Sequence, residues 1–485
     1  MRRRHALHRS VLLGTVLSLG LAFLGGCVET NLRPRGTAVP AAPAALYIPP
    51  SSLSKPTNTA RQPLSGLDGH KLSLAECIKT ALSRNPKIRE SWQRTRSVAA
   101  GLGRARSDYL PSADFTAGVT RGDAVFFDSD RETGTVDTLS AGFGVRYLLF
   151  DGGKRSAGVQ GAEAELLNVN FQHNATLQDV ALKVEEAYYQ FLAARALERV
   201  ARQTIQQTQY HLDVARARYT NGLVARSDVL KAETEKADAD LLMVRARSQV
   251  RVVHGQLADA MGIIPSAIFD VADLPPNAQQ QEAQDVRELM SEAASSRPGL
   301  RAALARIESA RTRIEAGKAR YWPGIMINSA YSRRDRNFVP DHDEWSLGLG
   351  ITWQLFDGLN REYSIHKARA ELKRSEAEYE KLIQGVELEV WTAYSRLTEA
   401  GQAIEAANAL VASAGENARV TEGQYKNGTA SIIEVTDAQT SRTAANVRLV
   451  QAVLDRYMAL ARLERAVGKT LTQENNKVIS GEKNK

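Results

Sequence analysis

The chain contains few of the residue arrangements that support catalysis. Its eight histidines show neither the His-Glu-x-x-His pattern nor another spacing typical of a metal site, and no cysteine pair could bind zinc. Gly152-Gly153-Lys154-Arg155-Ser156 is similar to part of a phosphate-binding loop, but the glycine required upstream of it is missing. The sequence shows no constellation of a nucleophile with a general base. We therefore predict that the protein is not an enzyme and binds no metal or dissociable cofactor.

Covalent chemistry is expected at Cys27. Residues 2–9 are basic and residues 11–24 almost wholly apolar, a pattern typical of an export signal that is too short to span a bilayer. This signal ends in Leu24-Gly25-Gly26-Cys27, which resembles the lipobox of bacterial lipoproteins, where the cysteine becomes the acylated first residue. We predict a signal peptide over residues 1–26, with diacylglycerol and palmitate on Cys27. Val28 favours sorting to the outer membrane, and an ordinary buried cysteine is the alternative.

The charge and composition of the remaining chain limit its partners. Removal of the signal lowers the formal net charge from +8 to about +4, and no basic stripe with interleaved aromatic residues predicts nucleic-acid binding. Residues 27–71 are rich in Pro, Ala, Ser and Thr, which predicts a lipid-anchored tether. Residues 472–485 are polar and predict a disordered tail. Cys77 is expected to be a small buried side chain.

One long pattern occurs twice in the 485 residues. Phe-Asp-Gly at 150–152 recurs at 356–358, and Tyr-x-Asn-Gly at 219–222 recurs at 425–428, both at an offset of 206. Upstream, Pro86 matches Pro298 and Pro111 matches Pro323 at an offset of 212. The six extra residues of the first copy therefore lie between Pro111 and Phe150. We predict a first repeat over 72–268, a linker over 269–285 and a second repeat over 286–471.

Each repeat begins with a helix and then changes to period-two alternation. Apolar residues alternate with Gly, Ser and Thr before each Phe-Asp-Gly motif, most clearly over residues 345–355. Alternation of this length with aromatic residues near its ends is typical of membrane barrel strands, and a half-buried soluble sheet is the alternative. We predict β-hairpins over 111–150 and 323–356.

The segments after the hairpins predict very long helices. Residues 155–218 and 361–424 contain no proline, and each would form a helix of about 96 Å. Return helices are predicted over 223–261 and 429–467, and shorter helices after the prolines over 87–110 and 299–322. One long helix can therefore pair in antiparallel fashion with two shorter helices that stack end to end.

Four strands cannot close a barrel with a lumen, and open sheet edges are not tolerated in lipid. Three chains would supply twelve strands. The predicted fold is therefore a membrane β-barrel joined to a long α-helical barrel, built by a homotrimer that shares one 12-stranded barrel, with two internal repeats in each chain.

The order, spacing and repetition of these motifs resemble those of the TolC-like outer-membrane factors, and the lipobox resembles their acylated, OprM-like efflux branch. The resemblance covers about residues 72–471. It implies a passive exit duct for small toxic compounds that crosses the outer membrane and periplasm, with a periplasmic adaptor and an inner-membrane pump, most simply of the RND type, as partners. Alternatives are the outer-membrane component of type I protein secretion and a lipid-anchored coiled-coil scaffold.

The resemblance also assigns functional residues to the helix ends far from the barrel, which would form the tunnel entrance and contact the adaptor. These include the turn residues Asn221, Gly222, Asn427 and Gly428. Constriction carboxylates are implied at Glu434 and Asp437, which share a helix face and would form acidic rings in a trimer. Solvated surface acids are the alternative.

A contact that latches neighbouring helices is also implied. Asp228 and Tyr425 match two of its three residues, whereas Ala430 occupies the arginine position. The latch is therefore expected to be incomplete, and Arg226 or Lys426 are the candidate substitutes.

Overall fold

The computed structural model of the protein describes residues 71–124, 134–273, 285–335 and 342–468. The predicted signal peptide, Cys27, nearly all of the tether, residues 274–284 of the linker and the tail lie outside these ranges.

Helices of 11 to 67 residues, a four-stranded sheet and a two-stranded sheet make up the described chain. The elements are β1 (Lys71–Leu72), α1 (Leu74–Arg84), α2 (Pro86–Ser107), β2 (Ser112–Ala124), β3 (Gly134–Phe150), α3 (Lys154–Thr220), α4 (Arg226–Met261), β4 (Asp270–Val271), α5 (Val286–Ser296), α6 (Pro298–Ala319), β5 (Gly324–Asp335), β6 (His342–Thr352), α7 (Asn360–Lys426) and α8 (Ile432–Val467). The two 67-residue helices α3 and α7 would each be about 100 Å long. None of the helices in the described ranges is both long and apolar enough to cross a membrane.

Observed and predicted boundaries differ by a few residues. The helices α3 and α7 extend one residue further at the start and two at the end than predicted. The return helices begin at Arg226 and Ile432, three residues later than predicted, because the residues before them, Ala225 and Ser431, are extended N-caps with ψ of 161°. Strand β6 ends at Thr352, so the last residues of the predicted hairpin 323–356 are outside the strand.

The four long strands form one antiparallel sheet in the order β2-β3-β5-β6. The two hairpins have the same register, because Ser112 pairs with Arg146 in the first and Gly324 pairs with Thr352 in the second. These pairs are related by the offsets of 212 and 206 found in the sequence. The six extra residues of the first copy therefore lie beyond the pairs that the two hairpins share, at the far end of the first hairpin.

The helices of the two halves alternate in space. Near the sheet the order of packed neighbours is α2-α3-α6-α7, and beyond it the order is α4-α3-α8-α7. The first half of α3 thus packs against α2 and α6, and its second half against α4 and α8. Each half of the chain consequently buries surface against the other half.

The largest apolar cluster lies beside the middle of α3, where the start of α2 meets the end of α4. It joins α1, the middle of α3, the end of α4 and the short parallel pair β1–β4. Gly262 ends α4 with a φ of 73°, and a Cβ there would lie 2.8 Å from the Cα of Asn85. The Asn85 side chain donates to the carbonyl of Ala260 and accepts from the Lys87 amide, so one residue ties α4 to the start of α2.

The strand-to-helix corners repeat one ion pair. The guanidinium of Arg155 pairs with Asp151 at 3.0 Å and donates to the Leu148 carbonyl at 2.7 Å. The same interaction joins Arg361 to Asp357 at 3.7 Å. Each corner then needs two residues with positive φ, which are Gly152 and Gly153 in the first and Gly358 and Leu359 in the second.

Candidate functional site at the helix ends

The candidate site lies at the ends of α3 and α7 farthest from the sheet. We call it the helix-end site and define it as residues 218–231 and 424–437. It contains the turn from α3 to α4, the turn from α7 to α8, and the first turns of α4 and α8.

Both turns have the same hydrogen bonds. The Gly222 amide donates to the Tyr219 carbonyl at 2.9 Å, and the Leu223 amide donates to the Arg218 carbonyl at 2.9 Å. The second turn repeats these bonds one repeat later, from Gly428 to Tyr425 and from Thr429 to Gln424. This is the Schellman arrangement, in which a left-handed residue lets two amides cap the last free carbonyls of a helix.

The asparagine of each turn has a different function from the one expected of a left-handed turn residue. Only Gly222 and Gly428 have positive φ, at 72° and 78°, whereas Asn221 and Asn427 have φ of −86° and −83°. The Asn221 side chain instead donates to the Ala217 carbonyl at 2.9 Å. Asn221 therefore caps the end of α3 through its side chain.

Tyr425 is the best-packed aromatic residue of the site, with 2% of its surface exposed. The Arg218 guanidinium carbon lies 4.6 Å from the centroid of its ring, and the same guanidinium donates to the Tyr425 carbonyl. Burial raises the pKa of Tyr425, the charge of Arg218 opposes this rise, and the charge of Asp228 supports it. Arg218 therefore joins the end of α3 to the end of α7.

Ala430 makes apolar contacts, whereas an arginine at this position could form an ion pair. It packs with Tyr425, Ile432 and Val435 in a small cluster that also includes Val214. The resemblance implies an arginine at this position, whereas the arginine that contacts Tyr425 is Arg218, which is 207 residues away in the chain. The repeat gave a hint, because the equivalent of Arg218 in the second copy is Gln424 and the two copies differ there.

Neither candidate substitute for the arginine is shown in contact with Asp228 or Tyr425 among the described residues. The Lys426 ammonium pairs with Glu422 at 2.8 Å and lies 5.2 Å from the ring centroid of Tyr210. Arg226 is exposed at the first position of α4.

Glu434 combines two functions at the start of α8. Its carboxylate accepts from the Ser431 amide at 2.8 Å, and its own amide donates to the Ser431 hydroxyl at 3.3 Å. This reciprocal pair is a capping box, which fixes the Glu434 side chain against the helix end. Glu434 is still exposed, so one face of the carboxylate remains open to solvent.

Asp437 is exposed on the next turn of α8. The hydrogen bond and charge of Glu235 raise the pKa of Lys231, and the charge of Asp437 adds to the rise. Lys231 is the residue that matches Asp437 at the repeat offset of 206. The two repeats thus place opposite charges at one level, a relationship that was not predicted although the offset alone could have shown it.

The helix-end site therefore brings Arg218 and Tyr425 together across the halves of the chain. The charge of Asp437 on α8 also acts on Lys231 of α4, whose direct partner is Glu235 at 2.8 Å. Glu434 and its repeat equivalent Asp228 add negative charge one turn nearer the helix ends. Such an arrangement can hold helix ends together and set the charge of a passage between them.

Comparison with known proteins gives three findings. The chain matches the family model described as outer membrane efflux protein over residues 77–263 and 289–469. It is similar to Protein CyaE of Bordetella pertussis, with 29% identity over 404 residues that cover 81% of this chain and 84% of the relative. It is also similar to the toluene efflux pump outer membrane protein TtgC of Pseudomonas putida, with 24% identity over 468 residues that cover 94% of this chain and 95% of the relative.

Among solved structures, the chain is similar to the outer membrane protein VceC from Vibrio cholerae. The TM-score is 0.72 at 18% identity, over 81% of this chain and 96% of VceC. This likeness concerns the fold.

Proposed function

Because the chain belongs to the outer membrane efflux protein family, we propose that three copies form the outer-membrane channel of a tripartite efflux system. The channel is a passive exit duct for small toxic compounds, and its energy comes from an inner-membrane pump. Members of this family are outer-membrane channels and not enzymes.

The observation that carries this proposal is the pair of open edges on the sheet. Among the described residues, β2 and β6 are each hydrogen-bonded to a strand on one side only. Alternate residues of β6 are apolar and exposed, including Trp345 at 75%, Leu349 at 66% and Ile351 at 66%. A sheet with an apolar outer face and two free edges is stable in lipid only when it closes on itself. Three four-stranded sheets give a closed barrel of twelve strands.

The internal repeat supplies the register of that closure. Within the chain β3 pairs with β5, and Phe143 faces Tyr331. The repeat offsets relate Phe143 to Leu349 on β6 and Tyr331 to Val119 on β2. In the trimer Leu349 of one copy therefore faces Val119 of the next.

A disulfide cross-linking experiment tests the trimer and its register. Val119→Cys and Leu349→Cys, combined in the full-length protein, should give a covalent trimer under mild oxidation in outer-membrane vesicles. Each single variant, and Val119→Cys combined with Ser346→Cys, should remain monomeric on denaturing gels. A ladder beyond the trimer, or no cross-link in the double variant, would contradict a closed trimer. The control keeps the cysteine at position 119 and places the second cysteine at position 346. This position is three residues from Leu349 along β6 and lies on the opposite face of the strand.

The partners follow from the ends of the proposed tube. The helix-end site would contact a periplasmic adaptor and, through it, a pump of the RND type. The Cys27 acyl chains would attach each copy to the inner leaflet of the outer membrane. Efflux is preferred to protein secretion because the name of the relative TtgC, similar over nearly the whole chain, describes a toluene efflux pump component. Loss of the gene should lower resistance to small hydrophobic toxicants while secreted proteins are unchanged, and the reverse result would favour type I secretion.

A further inference from the structure

The corner between β6 and α7 contains a strained leucine. Leu359 has a φ of 65° and is the one non-glycine residue with positive φ in the part of the chain that the structure describes. The left-handed region is unfavourable for a residue with a branched side chain, and such strain usually persists for a functional reason. The matching residue of the first repeat is Gly153, with a φ of 92°, which fills the same position without strain.

Leu359 is also exposed. Half of its surface is accessible, and Tyr363, one helical turn later, is 70% exposed. Leu359 is the N-cap of α7, and the Tyr363 amide one turn later donates to the Leu359 carbonyl at 3.1 Å. Contacts inside this chain therefore cover only half of the Leu359 surface.

The first repeat shows what a neighbouring copy would cover. In the first repeat, the element beside the corner is α6 with the residues after it, which belong to the same chain. A Cβ on Gly152 would lie 2.6 Å from the Cβ of Trp322. A Cβ on Gly153 would meet no atom within 4 Å even though this neighbour is present. By the repeat relationship, the next copy of a trimer would cover Gly358 but would leave Leu359 open.

The surroundings of Leu359 indicate what faces it. The end of the sheet next to the helices bears exposed aromatic and apolar side chains, among them Trp322 at 63%, Trp353 at 58% and Leu355 at 72%. Trp353 and Leu355 lie just beyond the end of β6 and continue, in sequence, the alternation of Trp345, Leu347, Leu349 and Ile351. Aromatic residues concentrate where a barrel crosses from the acyl chains to the headgroups.

We propose that Leu359, with Tyr363, inserts into the headgroup–acyl boundary of the membrane leaflet nearest the helices. This inference rests on the proposed outer-membrane channel. Transfer of an exposed leucine from water into lipid is favourable in proportion to the apolar area removed from water, and this gain offsets the strain of the left-handed backbone. The second repeat therefore has a lipid contact that Gly153 cannot make in the first.

Spin-label accessibility tests the contact directly. Leu359→Cys is labelled with a nitroxide in the full-length trimer, reconstituted in phospholipid vesicles, and relaxed either with oxygen, which concentrates in lipid, or with a water-soluble nickel chelate. We expect stronger relaxation by oxygen than by nickel. Stronger relaxation by nickel would place Leu359 in water, and protection from both reagents would place it against protein; either result overturns the proposal.

Two further sites keep the test decisive. A label at Leu349→Cys, in the middle of β6, should be oxygen-accessible if the sheet lies in the membrane, so nickel accessibility at both sites would contradict the channel itself. Oxygen accessibility at Leu349 with nickel accessibility at Leu359 would contradict only the lipid contact. If Leu359→Cys does not fold, a label at Tyr363→Cys, which lies in regular helix, tests the same insertion. Glu416→Cys, far along α7, is the aqueous reference.

Discussion

The Arg218 guanidinium lies over the ring of Tyr425, 4.6 Å from the ring centroid, and joins the end of one long helix to the end of the other. The two residues belong to different halves of the chain. The contact combines a cation–π interaction with a charge-assisted hydrogen bond to a carbonyl that is already part of the turn.

Loss of this contact should favour opening of the proposed channel. Arg218→Gln introduces the residue type found at the equivalent position of the second copy and removes both interactions with Tyr425. The closed arrangement should lose about 1–2 kcal/mol, which shifts the equilibrium between closed and open states by roughly 5–30-fold. Single-channel recording in planar bilayers should show a higher open fraction.

Arg216→Gln is the matched control. Arg216 lies two residues before Arg218 and forms an exposed ion pair with Glu233, so this variant removes the same charge without touching Tyr425. If both variants raise the open fraction equally, the effect arises from net charge and the Arg218–Tyr425 contact has no gating function.

The charge of the passage is expected to depend on Lys231 as well as on the acids. Lys231→Gln removes a positive charge that acts on Asp437 and leaves Glu235 without its ion-pair partner, so the ion selectivity should shift toward cations. The reversal potential in a salt gradient measures this shift. Lys236→Gln, which breaks the Lys236–Asp240 pair five residues further along α4, should leave the reversal potential unchanged.

Neutralisation of the two carboxylates tests the constriction itself. In the double variant Glu434→Gln with Asp437→Asn, the side-chain amide introduced by the first substitution retains an oxygen acceptor for the Ser431 amide, so the capping box is largely preserved. The single-channel conductance should rise. An unchanged conductance would show that these acids are solvated surface residues.

Acylation is expected at Cys27 alone. Cys27→Ser should lose incorporation of labelled palmitate, whereas Cys77→Ser should retain it, because Cys77 is fully buried in the cluster around α1. Label that persists in Cys27→Ser would refute the lipobox.

A buried glutamate between α3 and α8 should make stability depend on pH. Burial raises the pKa of Glu185 to about 8, and the charges of Glu464 and Glu186 add to the rise. In the unfolded chain its pKa is near the ordinary value of 4.5. An acid whose pKa is higher in the folded state stabilises the fold below the unfolded value, and this stability is lost as the pH rises toward the folded value.

The free energy of unfolding should therefore fall between pH 5 and pH 9, by on the order of 4 kcal/mol from this group. Glu185→Gln should flatten that dependence in thermal unfolding of the detergent-solubilised protein and should raise the melting temperature most at pH 9. Glu308→Gln, an exposed glutamate on α6, should leave the dependence as it is in the unmodified protein. An equal slope in Glu185→Gln and the unmodified protein would be the contrary result.

The sequence predicts the helix-end turns well because their determinants are local. Tyr-x-Asn-Gly specifies both the left-handed glycine and a side-chain cap within four residues. Helix lengths follow from an absence of proline over more than sixty residues. The strained corner is visible in the alignment of the copies as Gly153 against Leu359, but its conformation is known only from the backbone.

The contacts between the halves were not predicted from the sequence. The partner of Tyr425 depends on α3 lying between helices of the second half, an arrangement that no local pattern encodes. The position of Ala430 in the sequence therefore gives no indication that Arg218 contacts Tyr425. The opposite charges of Lys231 and Asp437 are visible at the repeat offset of 206.

The alternation of the two halves has a consequence for how such a tube can evolve. In the proposed trimer the contact between halves and the contact between chains are made by equivalent surfaces, so six identical half-length chains could in principle close the same ring. When two halves are fused into one polypeptide, the contact between halves and the contact between chains no longer need to be identical. Arg218 and Gln424, Lys231 and Asp437, and Gly153 and Leu359 can then diverge independently, and a sixfold pattern becomes a threefold one with two kinds of seam.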